Sequence, residues 1–212
     1  MSLLELFVGF SMQLFIIVDP VAGVPVFLAI TPDNTPQERR QMARRGCLVA
    51  FLVLVFFILC GHLLLDYFGI KNFSVRICGG VLLFVIALEM LYGKQTGTET
   101  SRREVRLAEE KTDISITPLA IPLLTGPGAI TTALLFAGRA DSLAGHGVLL
   151  AGCGVVFAVS YLFFSQATLL MRILGQLGMT ILTRILGLLL AFLAVQYVVD
   201  GVTGALHLAS TS

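Results

Sequence analysis

Six apolar runs, at roughly 5–31, 46–68, 74–92, 117–137, 147–170 and 185–206, alternate with polar stretches along the 212 residues. Each approaches the roughly 20 residues that a helix needs to cross a hydrocarbon core of about 30 Å. The pattern predicts an all-α membrane protein of six transmembrane spans. Two runs are interrupted. FIIVDPVAGVPVFLAI, residues 15–30, carries Asp19, Pro20, Gly23 and Pro25, and the fourth run carries Pro118, Pro122 and then Thr125, Gly126, Pro127 and Gly128. Proline donates no backbone hydrogen bond and clashes with the preceding turn, so Pro20 and Pro127 each predict the first residue of a new helical segment. Asp19 becomes the N-cap of a segment over 20–30, and Thr125 or Gly126 caps one over 127–137. From Thr117 and Pro118, the first part of span four reads as a short half-helix.

The polar stretches set the orientation. Eleven of the 14 Lys and Arg lie in 32–45, 93–116 and 171–184, which predicts three cytoplasmic loops and both termini outside. TPQE, Thr35 to Glu38, reads as a capping box with Pro at the first helical position, so the second helix is expected to start ahead of its apolar run. Residues 94–113 are too polar to pack, and 94–116 reads as a cytoplasmic charged linker. It separates repeat one, 1–93, from repeat two, 117–212. Three spans per half is odd, so a repeat would be inverted. RICGGVLLF (Arg76 to Phe84) and RILGLLLAF (Arg184 to Phe192) match at an offset of 108, at which Gly93 falls on Gly201. The same offset within one residue pairs Asp19-Pro20 with Gly126-Pro127. The expected fold is two inverted three-helix repeats with spans one and four broken near the midplane.

Composition narrows the function. Hydrophobic residues are 57% and charged residues 13% of the chain, with a mean hydropathy of +0.93, which excludes a soluble domain. The first run has no basic residue ahead of it and reads as an uncleaved span. Basic residues scattered along loops and partly offset by acids exclude a nucleic-acid partner. Cys47, Cys60, Cys78 and Cys153 lack ligand spacing, and His62, His146 and His207 are separated, so no metal and no cofactor is implied. Asp19 is the one acid well inside a span. Without a second carboxylate or a nucleophile arrangement, an intramembrane enzyme is the least supported class.

In an inverted arrangement the segments after Pro20 and Pro127 present their N-termini to one another near the midplane. Each carries roughly half a positive charge and free N–H donors. The candidate substrate site is therefore Asp19, Pro20, Gly23, Pro25, Thr125, Gly126, Pro127 and Gly128, with the glycines letting a ligand approach the backbone. A carboxylate at that depth costs roughly 2.5–3.5 kcal/mol and calls for a partner or a purpose. The set suits a zwitterion, its carboxylate at the helix ends and its ammonium at Asp19. The competing reading makes Asp19 only a cap for the N–H groups of residues 21 and 22. Arg76 and Arg184 are gate or snorkelling-anchor candidates at opposite faces. Gln166 and Gln196 are candidates for lining a cavity or bonding across helices, and Gly79, Gly80, Gly152, Gly154 and Gly187 for close helix contacts.

DPVAGVP (Asp19 to Pro25), RICGG (Arg76 to Gly80), PLAIPLLTGPG (Pro118 to Gly128) and RILG (Arg184 to Gly187) together resemble the MarC family of six-span prokaryotic membrane proteins. The resemblance covers essentially the whole chain. It implies a multi-pass protein of the prokaryotic cytoplasmic membrane, related to transporters of small neutral amino acids. Where the family motif reads D/N-P-x-G, Ala22 takes the Gly position and Gly23 follows. The leading functional expectation is a secondary transporter working by alternating access around the midplane site, with H⁺ or Na⁺ as coupling ion at Asp19. A channel and a translocase of a lipid-linked substrate are the alternatives. The expected partners are the bilayer and a small-molecule substrate, and a homo-oligomer is compatible with the sequence.

Overall fold

The computed structural model describes residues 2–93, 124–140 and 142–211. The charged linker, with Lys94, Arg102, Arg103, Arg106 and Lys111, and the first half of span four, with Thr117, Pro118 and Pro122, lie outside the described residues. The described residues form helices α1 (Leu3–Val18), α2 (Pro20–Ala29), α3 (Pro36–Tyr67), α4 (Asn72–Tyr92), α5 (Pro127–Ala137), α6 (Leu143–Ser165) and α7 (Ala167–Thr211). Five stretches are long and apolar enough to cross a bilayer: α1 with α2 as one, α3, α4, α6 and α7. The shorter α5 is apolar as well.

Local chemistry sets the helix starts. Thr35 and Glu38 form the expected capping box: the Thr35 N–H donates to Glu38 Oε2 at 2.7 Å and the Glu38 N–H to Thr35 Oγ1 at 3.3 Å. With Pro36 at the first position, α3 begins well before its apolar run. These donors hold the Glu38 carboxyl below its ordinary range. Ser2 and Glu5 make a second box at the start of α1. The turn between α2 and α3 is locked by Arg39, whose Nε donates to the Thr31 carbonyl at 3.0 Å and whose Nη2 reaches the carbonyls of Thr31 and Pro32.

The expected loop over 171–184 is corrected: the chain is helical from Ala167 onward, with a single break at Gly175 (φ 64, ψ 176). The charges of Arg172 and Arg184 mark where polarity rises, and nothing in GQLGMTILTR except its first glycine stops a helix. Gly175 takes a backbone conformation open essentially to glycine alone. Span five correspondingly ends at Ser165, with Gln166 as its C-cap.

Packing centres on an antiparallel seam between α4 and α7. A Cβ on Gly80 would lie 2.7 Å from the Ala194 carbonyl oxygen, one on Gly187 2.7 Å from Met90 Cβ, and one on Gly201 2.9 Å from the Phe73 carbonyl oxygen. Small residues let the two backbones approach where lipid supplies no hydrophobic drive. Around this seam α3 packs on α6, α1 on α5 and α6, α2 on α6 and α7, and α5 on α3 and α4. Phe10, Phe27, Leu54, Leu83, Leu149 and Phe164 fill the interior. Leu52, Phe56 and Leu63 of α3 and Leu188, Phe192 and Val195 of α7 face outward. Apolar bands of that size suit lipid rather than water.

Candidate functional site

Asp19 joins the two halves of the first span. Its N–H donates to the Phe15 carbonyl at 3.0 Å, closing α1, and its Oδ1 accepts from the Ala22 N–H at 3.2 Å, capping α2. The Val21 N–H also addresses the carboxylate. Its backbone is left-handed (φ 39, ψ 65), and among the described residues it is the one non-glycine with positive φ. Asp tolerates that region because its short polar side chain bonds locally. Pro20 follows as the first residue of α2, as expected. The cap therefore exists, but it engages one carboxylate oxygen. Oδ2 is buried without a well-formed hydrogen bond, in a residue only 5% exposed. The side chain facing it is Thr183 of α7, whose Oγ1 is also short of a well-formed bond.

The second break comes to the same region. Pro127 opens α5 and Gly126 is its N-cap, with no side-chain cap bond, so Gly126 rather than Thr125 occupies that position. Thr125 is buried beside it. A Cβ on Gly128 would lie 3.1 Å from Ile17 Cγ2, 3.0 Å from Leu83 Cδ2 and 2.8 Å from Ile86 Cδ1. The start of α5 is thus seated against the end of α1, within two residues of Asp19 and level with the inner part of α4. Two helix N-termini and the buried acid share one locality, where fixed N–H donors and a carboxylate can hold opposite charges of a small ligand.

Two of the candidate glycines, Gly23 and Gly128, lie against side chains of other helices. A Cβ on Gly23 would lie 2.9 Å from the Phe164 ring, and the space at Gly128 is taken by the three aliphatic side chains just named. Pro25 lies inside α2 and is half-buried. Arg76 and Arg184 sit toward opposite ends of the α4–α7 seam, Arg76 half-buried near Tyr197 and Arg184 exposed. Gln166 lines a cleft of about 340 Å³ together with Arg39, Arg40 and Arg172, whereas Gln196 is exposed and its Nε2 donates to Asp200 Oδ1 at 2.7 Å on its own helix. Two of the histidines are not separated in space: His62 and His146 line one cleft of about 410 Å³ at the α3–α4 end, with His62 Nδ1 2.7 Å from Asp66 Oδ2.

Residues 4–206 match the family model described as "MarC family integral membrane protein". The chain belongs to the MarC family. It is 35% identical over 201 residues to a UPF0056 membrane protein of Aquifex aeolicus, covering 95% of this chain and 94% of that one. It is 33% identical over 193 residues to the UPF0056 membrane protein YvbG of Bacillus subtilis (91% and 92%) and 34% identical over 199 residues to YhcE of Escherichia coli (92% and 91%). No solved structure matches. Membership makes the chain an integral multi-pass membrane protein, in agreement with its apolar outer faces.

The MarC-family chain also buries polar side chains that sequence reading passed over. Gln13 is 5% exposed and Thr132 fully buried, and Thr183 meets Asp19 from another helix. Uncharged and solitary in apolar runs, they offer no spacing to read.

Proposed function

We propose that this MarC-family protein is a secondary transporter of a small polar solute, specifically small neutral amino acids. It works by alternating access of two inverted three-helix repeats around the junction of α1, α2 and α5. The observation that carries this reading is Asp19: a buried acid with one oxygen held by a cap and the other facing Thr183 without a well-formed hydrogen bond, at the meeting point of two helix N-termini. Such a group is costly in a membrane span and is the residue type used for ion pathways and counter-ions. The ammonium of the solute lies at Asp19 and its carboxylate at the N-terminus of α5, because the N–H groups opening α2 are already held by Asp19. The same carboxylate is the natural place for a coupling H⁺ or Na⁺.

The repeat is supported by the packing: α2 lies against α6 and α7, and α5 against α3 and α4, contacts that exchange when the two halves are exchanged. The end that carries Arg39, Arg40 and Arg172 faces the cytoplasm in this reading, with both termini outside and the protein in the cytoplasmic membrane. The test is uptake of labelled glycine and alanine into liposomes holding the purified full-length protein. A carrier gives saturable uptake and counterflow, driven by an imposed H⁺ or Na⁺ gradient. Non-saturating flux without counterflow would replace it with a pore.

A further inference from the structure

A second set of buried polar groups lies between the Asp19 junction and the end of the bundle that carries the α3–α4 turn. The Tyr197 hydroxyl of α7 donates to Gln13 Oε1 of α1 at 2.6 Å. Gln13 is 5% exposed, and its Nε2 is buried with no hydrogen-bond partner. Turning the amide over does not remove the problem, because one of its two polar atoms meets Tyr197 and the other remains unpaired. Thr132 of α5 is fully buried and its Oγ1 is unpaired too. Buried helical hydroxyls elsewhere bond back to the carbonyl four residues earlier, as Thr31 does to Phe27 at 2.6 Å and Ser160 to Val156 at 2.9 Å. Thr132 makes no such bond.

These two orphans face the same level of the α1–α5 interface. Gly128 meets Ile17 and the Phe136 ring packs on Phe10 at 5.3 Å between centroids, so the helices run antiparallel with residue numbers summing to about 145. That register sets Thr132 opposite Gln13. Arg139, at the end of α5, closes the set above: its guanidinium lies 5.1 Å from the Phe136 ring centroid and 5.7 Å from that of Tyr197. A buried polar group left unpaired is costly, and here two coincide beneath a cation.

We infer that Gln13, Thr132 and Tyr197, under Arg139, form a second binding station that receives the carboxylate of the solute between the outer surface and Asp19. This rests on the transport reading above. The station offers an amide N–H and a hydroxyl as donors beneath Arg139, and Asp200, the acid that acts on Tyr197, accepts from Gln196 instead, so the set suits an anionic oxygen. It lies six residues from Asp19 along α1, about 9 Å at a rise of roughly 1.5 Å per residue. An α-amino acid is too short to bridge that distance, so the two places are occupied in turn.

The experiment uses the full-length protein in liposomes with Cys47, Cys60, Cys78 and Cys153 replaced by Ala. Thr132→Cys is compared with Ala133→Cys, equally buried on the adjacent face of α5, using a membrane-impermeant methanethiosulfonate added from outside. Thr132→Cys is expected to react at least about tenfold faster than Ala133→Cys. Equal rates, or no reaction at either, overturn the station. This readout needs no transport and so stands apart from failure of the amino-acid reading. In uptake assays, Gln13→Leu and Thr132→Val, at unchanged melting temperature, are each expected to raise KM for glycine by about tenfold, and unchanged KM in both overturns solute binding there.

Discussion

At Asp19 one side chain must tolerate a left-handed backbone, cap α2 and leave an oxygen without a well-formed hydrogen bond inside an apolar bundle. Asn can do the first two. Asp19→Asn is therefore expected to melt within a degree or so of the wild type, whereas Asp19→Ala loses the cap, worth about 1–2 kcal/mol, and strains the backbone. Thermal unfolding in detergent separates the two variants, and equal melting would mean that the cap contributes nothing. Gly23 offers a second test. A methyl there would press on the Phe164 ring at 2.9 Å, and overpacking of this kind costs about 1–3 kcal/mol. Gly23→Ala should lower the melting temperature, and Phe164→Leu should relieve it, so that the double variant is less destabilised than the sum of the singles. Much of this scale was legible in the sequence, because Pro and a lone acid are strong punctuation in an apolar run. Gln13, Thr132 and Thr183 were not, since what makes each notable is a partner, or the lack of one, on a different helix.

The helices obey their caps more closely than their hydropathy. The Thr35–Glu38 box placed the start of α3 correctly, ahead of the apolar residues, because a capping box marks a helix end directly. The interval 171–184 was misread for the converse reason: falling hydropathy marks departure from lipid, and α7 continues through it with one break at Gly175. Gly175→Ala is expected to cost about 1–3 kcal/mol, because a Cβ is strained in that conformation, although no side chain lies within 4 Å of the position. A melting temperature equal to wild type would contradict the break. Along the α4–α7 seam the obstacle is backbone. Gly80→Val should strongly reduce the yield of monodisperse protein on size exclusion, since the Ala194 carbonyl oxygen sits 2.7 Å from the added Cβ. Gly154→Val, whose nearest neighbour is a Phe51 ring atom at 3.8 Å, should behave close to wild type.

At the scale of the molecule, the interrupted first span and the Pro-led start of α5 meet inside an otherwise apolar bundle. Lipid cannot satisfy the backbone groups released at such breaks, so they are enclosed by protein or face a cavity. Here Ile17, Leu83, Ile86 and Phe164 enclose them, which describes a closed conformation in the alternating-access account. The all-helical membrane character and both Pro-led helix starts were readable from the chain, while the closure was not, because it depends on which side chains from α1, α4 and α6 occupy the glycine positions. The central claim is that Asp19 serves transport and not only the fold. The measurement that tests it most directly is gradient-driven uptake of labelled glycine and alanine by reconstituted wild type and Asp19→Asn, compared at equal amounts of folded protein. The account predicts saturable uptake that is lost in Asp19→Asn while the variant remains folded. Saturable uptake with unchanged KM and rate in Asp19→Asn would contradict it and leave Asp19 as a helix cap.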